Sequence, residues 1–374
     1  MQVRIPSLEL GTNVRRRLTT LAVAATVGAL ALTGVVSAGA TVAAQKPNAG
    51  GYKIGLLLPE NQTTRYEAFD HPVFVARIHA LCPTCTVDYK NAAQNEATQL
   101  TQFNAAIANG DQVIVLDPVN GATAATMVAK AKSAGVKVIS YDRLVTGTTG
   151  LSLYISFDNQ KVGVLQATAL VARMKALHKT KGNIVVINGS VTDNNAHLFN
   201  AGALSVLKKN PQYKIVGQHW TLNWTPADAQ TFMQGQIAKF GKNAFVGVYA
   251  ANDGTAGGAI AAMQKAGYKP IPPITGQDAQ LTNIQYILNG LQYMTVYKAL
   301  IPEATQAANA AYTLASGGTV KTTVKVSGVP SILLTPIAVT QKNIEATVVK
   351  DKFYTAKQIC TKAYAAACKK YGVK

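Results

Sequence analysis

The chain has 374 residues, 48% of them hydrophobic, 14% charged and 7% aromatic, with a formal net charge of +19. At roughly 150 residues per domain this length holds two domains with ample core, so folding needs no disulfide or metal staple. The apolar content excludes a disordered chain, 30 Gly and 14 Pro are too few for collagen or low-complexity sequence, and four Cys are too few for a disulfide-dense scaffold.

Residues 1–44 read as an export signal. Arg15, Arg16 and Arg17 precede an apolar run over 18–40 that ends in the small residues Ala38-Gly39-Ala40. The run is long enough to span a bilayer, so a retained anchor is the alternative, and the small-residue site favours cleavage. No Cys follows the run to carry a lipid. The mature chain is therefore expected outside the cytoplasm. There, scattered lysines without aromatic-plus-basic clusters fit a solvated surface in an anionic envelope better than a nucleic-acid site. Cys82-Pro83-Thr84-Cys85 is followed by no second CxxC and no nearby His, so a structural disulfide is expected rather than a metal site. Cys360 and Cys368 would lie about 12 Å apart on one unbroken helix, so they pair only if the tail bends between them. The expected pairing is Cys82–Cys85 and Cys360–Cys368, with two other connectivities open.

From Tyr52 onward, short apolar runs alternate with helical ones. Residues 53–58, 112–116 and 136–141 predict buried parallel strands, with a helix over 122–134 closed by Gly135. A second set begins at Gly182: strands over 183–188, 214–217, 244–250, 273–276 and 293–297. Helices are predicted over 196–209, 226–239, 255–266 and 281–288, with Thr225-Pro226 supplying a cap and a first-turn proline. Alternation of this kind means parallel sheets covered by helices on both faces.

In doubly wound sheets ligands bind beyond the carboxyl ends of the strands. The polar residues there are Asp117, then Asp142 and Arg143, then Asp193 to Asn195, Trp220 and Trp224, Asn252 and Asp253, Gln277 and Asp278, and finally Lys298. Each alone could be a turn or a helix cap. Their recurrence at strand after strand points to one polar cleft. Beyond the signal only Arg65, Arg77, Arg143 and Arg173 interrupt the lysines. An Arg at a strand end, as at Arg143, points to a use for its planar fork of donors.

Several blocks resemble the periplasmic sugar-binding proteins of ABC importers, most of all their D-xylose-binding members. They are Tyr141-Asp142-Arg143, the run 154–159, Asp193-Asn194-Asn195-Ala196, Asn252-Asp253, the run 255–260, Gly276-Gln277-Asp278-Ala279, the run 294–298, Val329-Pro330-Ser331 and the run 333–337. The resemblance extends from about Lys53 to Phe353. It implies the type I periplasmic binding fold: α/β, two doubly wound parallel-sheet lobes joined by a three-crossing hinge. The implied lobes are 45–157 plus 299–334 and 158–298 plus 335–374, with crossings near 157–158, 297–298 and 334–335. It places Arg65, Asp142, Arg143, Asp193, Asn195, Trp224, Asn252, Asp278 and Lys298 on the sugar-binding positions. Tyr66 falls where the family has a ring-packing aromatic, a familiar Trp, and the loop 59–64 is less charged than the family's.

The implied activity is binding of one monosaccharide, D-xylose first, by hinge closure, for delivery to a membrane permease. The alternative is a sensor presenting its closed form to a receptor, with glucose or another aldose as ligand. A monomer is implied, with no cofactor, metal or nucleic-acid partner. A sugar-responsive repressor would need an N-terminal helix-turn-helix where an export signal stands. The five His form no HExxH, and GxSxG, P-loop and GxGxxG are absent. Asp193 and Asp278 could be imagined as glycosidase carboxylates, but nearby Arg and Lys are expected to keep both ionised, leaving no general acid.

Overall fold

The computed structural model describes residues 50–322 and 324–374. The expected signal at 1–44 lies outside the described residues. Among those residues no helix is long and apolar enough to cross a membrane.

The first half runs β1 (Lys53–Leu58), α1 (His71–Leu81), β2 (Thr86–Asn91), α2 (Glu96–Ala108), β3 (Val113–Leu116), α3 (Ala125–Ser133), β4 (Lys137–Tyr141) and β5 (Leu153–Phe157). The second runs α4 (Asn159–Ala176), β6 (Gly182–Asn188), α5 (Asn194–Leu207), β7 (Tyr213–Trp220), α6 (Pro226–Phe240), β8 (Phe245–Ala250), α7 (Asp253–Lys265), α8 (Leu281–Asn289) and β9 (Thr295–Tyr297). The chain ends with α9 (Leu300–Ala315), β10 (Val324–Val326), β11 (Val329–Leu334), β12 (Ile337–Val339), α10 (Ala356–Ile359) and α11 (Ala365–Tyr371).

The larger sheet has the order β10-β11-β5-β4-β3-β1-β2, parallel except for the β10–β11 edge. Its central strands are buried on both faces, which is why they read as unbroken apolar runs. Ile54, Leu56, Val113 and Val115 pack toward α1 and α9. Leu57, Ile114, Leu116 and Val138 point the other way, toward Phe103 of α2 and Val128 of α3. The smaller sheet, β7-β6-β8, repeats this alternation. Ile184 and Val186 meet Leu170 of α4 and Phe199 of α5, whereas Val185 and Ile187 meet Met233 of α6 and Ile260 of α7.

The chain leaves the larger sheet after Phe157, returns through α9 after Tyr297, and leaves again after Leu334, when β12 pairs antiparallel with β9. Asp158 caps α4 at the first crossing, its carboxylate accepting from Lys161 N at 3.0 Å.

The predicted strand over 273–276 is a correction. This segment makes only single bridges, Val248–Ile274 and Gln277–Val296, and so links β8 to β9 without becoming a strand. Pro273 has no N–H to donate. The Thr275 hydroxyl takes over part of the ladder, accepting from Ala250 N and donating to Ala250 O, both at 2.9 Å. The predicted strand over 214–217 is longer than its apolar core, because its polar end, Gln218 to Trp220, stays paired to β6.

Both disulfides, Cys82–Cys85 and Cys360–Cys368, are present. The tail does bend: α10 ends at Ile359 and α11 starts afresh at Ala365, with Ile359 and Cys368 buried beside Ile284 and Leu288 of α8.

Helices α4 and α5 approach until side chains no longer fit between them. A Cβ at Gly163 would lie 1.9 Å from Phe199 O, and one at Gly202 would lie 2.0 Å from Gln160 O. Gly163→Ala is expected to lower stability by about 1–3 kcal/mol, the usual range for overpacking. Gly257→Ala on α7, where nothing lies within 4 Å of the added Cβ, is expected to raise it by up to about 1 kcal/mol. Urea denaturation of both variants measures the contrast, and equal effects would contradict the close helix contact.

Candidate functional site

The carboxyl ends of both sheets face one small cavity. All ten residues that the resemblance places on the sugar line it: Arg65, Tyr66, Asp142, Arg143, Asp193, Asn195, Trp224, Asn252, Asp278 and Lys298; of the other polar strand-end residues, Gln277 lines it and Asp117, Trp220 and Asp253 do not. Thr63 and Phe199 complete the wall.

Local structure explains each placement. Asp142 and Arg143 follow β4, where Asp142 adopts a left-handed backbone (φ 50°). That conformation is costly for a residue with a Cβ. It is held by three donors on one carbonyl: Ser156 Oγ at 2.7 Å, Asn195 Nδ2 at 3.0 Å and Tyr154 OH at 3.1 Å. Asp193 caps α5 by accepting from Asn195 N at 2.8 Å, and Asn252 caps α7 by accepting from Thr255 N at 2.8 Å. Capping and cavity lining thus coincide in the same side chains. Trp224 ends the turn after β7, its indole N–H donating to Asp193 Oδ2 at 3.2 Å. Its ring lies against Gly189, where an added Cβ would sit 2.0 Å from Trp224 Cη2. Tyr66 starts the helical turn before α1, and its hydroxyl accepts from Arg143 Nη2 at 3.2 Å.

The charges interlock across the cavity. Asp142 Oδ1 lies 2.9 Å from Arg65 Nη1 and accepts from Lys298 Nζ at 2.6 Å. Arg143 Nε reaches across to Asp193 Oδ2 at 3.2 Å. Loops of the two sheets also touch directly. Gly121 N donates to Thr192 O at 3.0 Å, and Thr192 Oγ1 donates to Val119 O at 3.0 Å. The arrangement is closed.

Around the three buried cations Arg65, Arg143 and Lys298 stand seven buried acids: Glu60, Asp70, Asp117, Asp142, Asp193, Asp278 and Glu303. Burial opposes the ionisation of Asp117, Asp142, Asp193, Asp278 and Glu303, and their neighbours sort them. For Asp142 burial is outweighed by Arg65 and Lys298, which hold its carboxyl well below the usual range. For Asp278 burial wins over Lys298 and Arg65, and the carboxyl is pushed up to about 6. Burial likewise raises Asp193 and Asp117 against the pull of Arg143. Arg and Lys do favour the charged forms of Asp193 and Asp278, as expected, but desolvation opposes them and raises both carboxyls. Such carboxyls can accept when ionised and donate when protonated, a versatility that suits hydroxyl-bearing ligands.

Phe199 lies four residues after Asn195, a spacing that puts both on one face of α5, so its place was readable. Thr63 had no comparable signal. Of the four arginines of the described chain, two enter the cavity. Arg77 instead donates to Asn309 Oδ1 at 2.7 Å, and Arg173 lies over the Tyr293 ring at 5.3 Å.

Two tests follow from this geometry. Gly189→Ala should displace the Trp224 ring, which a change in tryptophan fluorescence without loss of fold would register; an unchanged spectrum would contradict the contact. For Asp278 the folded-state value near 6 exceeds the unfolded one near 3.9, so the folded form binds the proton more tightly. Its stabilising contribution is complete below about pH 4 and is lost as pH rises through 6. Asp278→Asn, which lacks this loss, should gain about 2–3 kcal/mol on wild type between pH 4 and pH 7 in urea denaturation. A constant difference would exclude the shift.

Comparison with known proteins places this geometry. The periplasmic binding protein domain family matches residues 54–319. A D-xylose-binding periplasmic protein of Escherichia coli is 38% identical over 314 residues, 82% of this chain and 92% of the relative. Its counterpart in Haemophilus influenzae is 36% identical over 326 residues, 85% and 95% of the two chains. Among solved structures, a carbohydrate transporter solute-binding protein from Chloroflexus aurantiacus in complex with D-glucose superposes with a TM-score of 0.75 at 28% identity, covering 82% of this chain and 97% of the other. An ABC transporter solute-binding protein from Clostridium phytofermentans with bound β-D-glucose gives 0.74 at 26% identity, covering 82% and 99%. These relatives are binding proteins of transport systems, not enzymes.

Proposed function

Because this chain belongs to the periplasmic binding protein family, we propose that it is the extracytoplasmic sugar-binding component of an ABC importer, with D-xylose as the leading ligand. The observation that carries the reading is the convergence of side chains from both sheets, and of Lys298 from the crossing between them, on one cavity. The D-xylose-binding relatives support the choice of a pentose.

The chemistry fits a pyranose. Each ring hydroxyl both donates and accepts. Asp142 and Asp278 accept, Arg65, Arg143 and Lys298 donate, and Asn195 and Asn252 do either. Trp224 and Tyr66 offer apolar faces to the ring C–H surfaces. Charge-assisted hydrogen bonds contribute about 1.5–3 kcal/mol each, so a few of them reach the roughly −8 kcal/mol of a micromolar complex. A sugar with one hydroxyl inverted leaves buried groups unpaired and is rejected.

Binding works by closure. The lobes are 45–157 plus 299–334 and 158–298 plus 335–374, and the crossings between them absorb the rotation. A ligand held by both lobes stabilises only the closed form and shifts the population toward it. A membrane permease reads that form, with the protein acting as a monomer after export and cleavage of the signal at 1–44. Delivery of the closed form to a sensor receptor, with glucose or another aldose as ligand, is the second reading; the glucose-bound neighbours favour keeping it.

A thermal-shift panel of pentoses and hexoses tests the ligand, with D-xylose expected to give the largest rise; no shift with any aldose would overturn the reading. Trp224→Ala is expected to weaken binding of the best sugar more than tenfold in calorimetry while the protein stays folded. Wild-type affinity would remove Trp224 from the site.

A further inference from the structure

Arg65 is the only cavity cation whose guanidinium is gripped along a whole edge. Its Nε donates to Asp70 Oδ2 at 2.8 Å, and its Nη2 donates to Asp70 Oδ1 at 3.0 Å and to Glu303 Oε2 at 2.8 Å. Three of its five N–H groups are thereby committed. Only Nη1 is left, and it lies 2.9 Å from Asp142 Oδ1. Arg143, by contrast, has no side-chain partner nearer than 3.2 Å.

Neither Asp70 nor Glu303 lines the cavity. Both are buried, at 1% and 0% exposure, and the Tyr141 hydroxyl also donates to Asp70. Glu303 sits in the first turn of α9, five residues after Lys298, on the segment that returns the chain to the larger sheet. One short stretch thus supplies a cavity lysine and a grip on the cavity arginine. As a stability device Glu303 is poor. Its Oε1 has no hydrogen-bond partner, and a buried ion pair is often replaceable by apolar groups without loss. Burial pushes its carboxyl up to about 8 even beside Arg65. What the pair does supply is orientation, since Arg bonded along one edge cannot rotate its free end.

We infer that Glu303, with Asp70, is a positioning residue for the sugar: it fixes Arg65 so that Nη1 alone is offered to one ligand hydroxyl, and so helps set which sugar is accepted. This deepens the monosaccharide reading above and rests on it.

The test is calorimetry on the exported full-length protein with D-xylose, 1,5-anhydroxylitol and the 2-, 3- and 4-deoxy derivatives of D-xylose. Glu303→Leu fills the same volume without an acceptor, and Glu303→Gln keeps the acceptor. The Leu variant is expected to bind D-xylose about tenfold or more weakly, with the loss tied to one hydroxyl. The analogue lacking that hydroxyl should bind variant and wild type equally, while the other analogues lose affinity in parallel with D-xylose. The Gln variant should stay within about threefold of wild type. Asp70→Asn, loosening the other limb, should give the same single-hydroxyl pattern and decides the matter should the Leu variant not fold. Wild-type affinity in the Leu variant, or an equal loss across all analogues with a lowered melting temperature, would overturn the inference while leaving the sugar reading intact. A wild type that binds no aldose would instead overturn the reading itself, and the inference with it.

Discussion

One buried carboxylate organises the cleft. Asp142 receives Arg65 from the segment before α1, Lys298 from the second crossing, and Asn195 from the first turn of α5. It is therefore the point at which the larger sheet, the smaller sheet and the connection between them meet. Its charge is sustained by those partners. Removing it would leave Lys298 buried without its ion-pair partner, while Arg65 would keep Asp70 and Glu303; breaking a buried pair in this way typically costs about 3–5 kcal/mol. Its left-handed backbone, pinned by three side-chain donors on the carbonyl, aims the carboxylate at the cavity rather than into β5.

The remaining charges make sense around that anchor. Seven buried acids stand beside three cations; Asp142 is held firmly anionic, whereas burial pushes Asp117, Asp193, Asp278 and Glu303 upward. A cavity of this kind presents fixed donors at Arg65 and Lys298 together with adaptable carboxyls at Asp278 and Asp193. Hydroxyl ligands need both. The strong positive charge of the whole chain plays no part here, because it is carried mainly by lysines outside the cavity.

Much of this was legible in the sequence, and the exceptions have physical reasons. Strands such as Lys53–Leu58 are apolar on both faces and announce themselves, and the polar residues beyond their ends were readable because this fold type puts ligands there. The segment over 273–276 misled because β-branched and apolar residues mark a buried extended chain whether or not it completes a ladder. Phe199 was within reach of helical spacing. Glu303 was not: it is 238 residues from Arg65, and only the return of the chain through α9 brings the two together. The upward push on the Asp193 and Asp278 carboxyls was not legible, because spacing reveals neighbours and not the depth of burial. The tail disulfide was anticipated with a bend that local sequence does not specify.

The most direct measurement is a crystal structure grown with D-xylose. Closure around Asp142 predicts a single pyranose in this cavity, with one hydroxyl within hydrogen-bond distance of Asp142 and contacts from both sheets as well as Lys298. A sugar seated elsewhere, or touched by residues of one sheet alone, would contradict it.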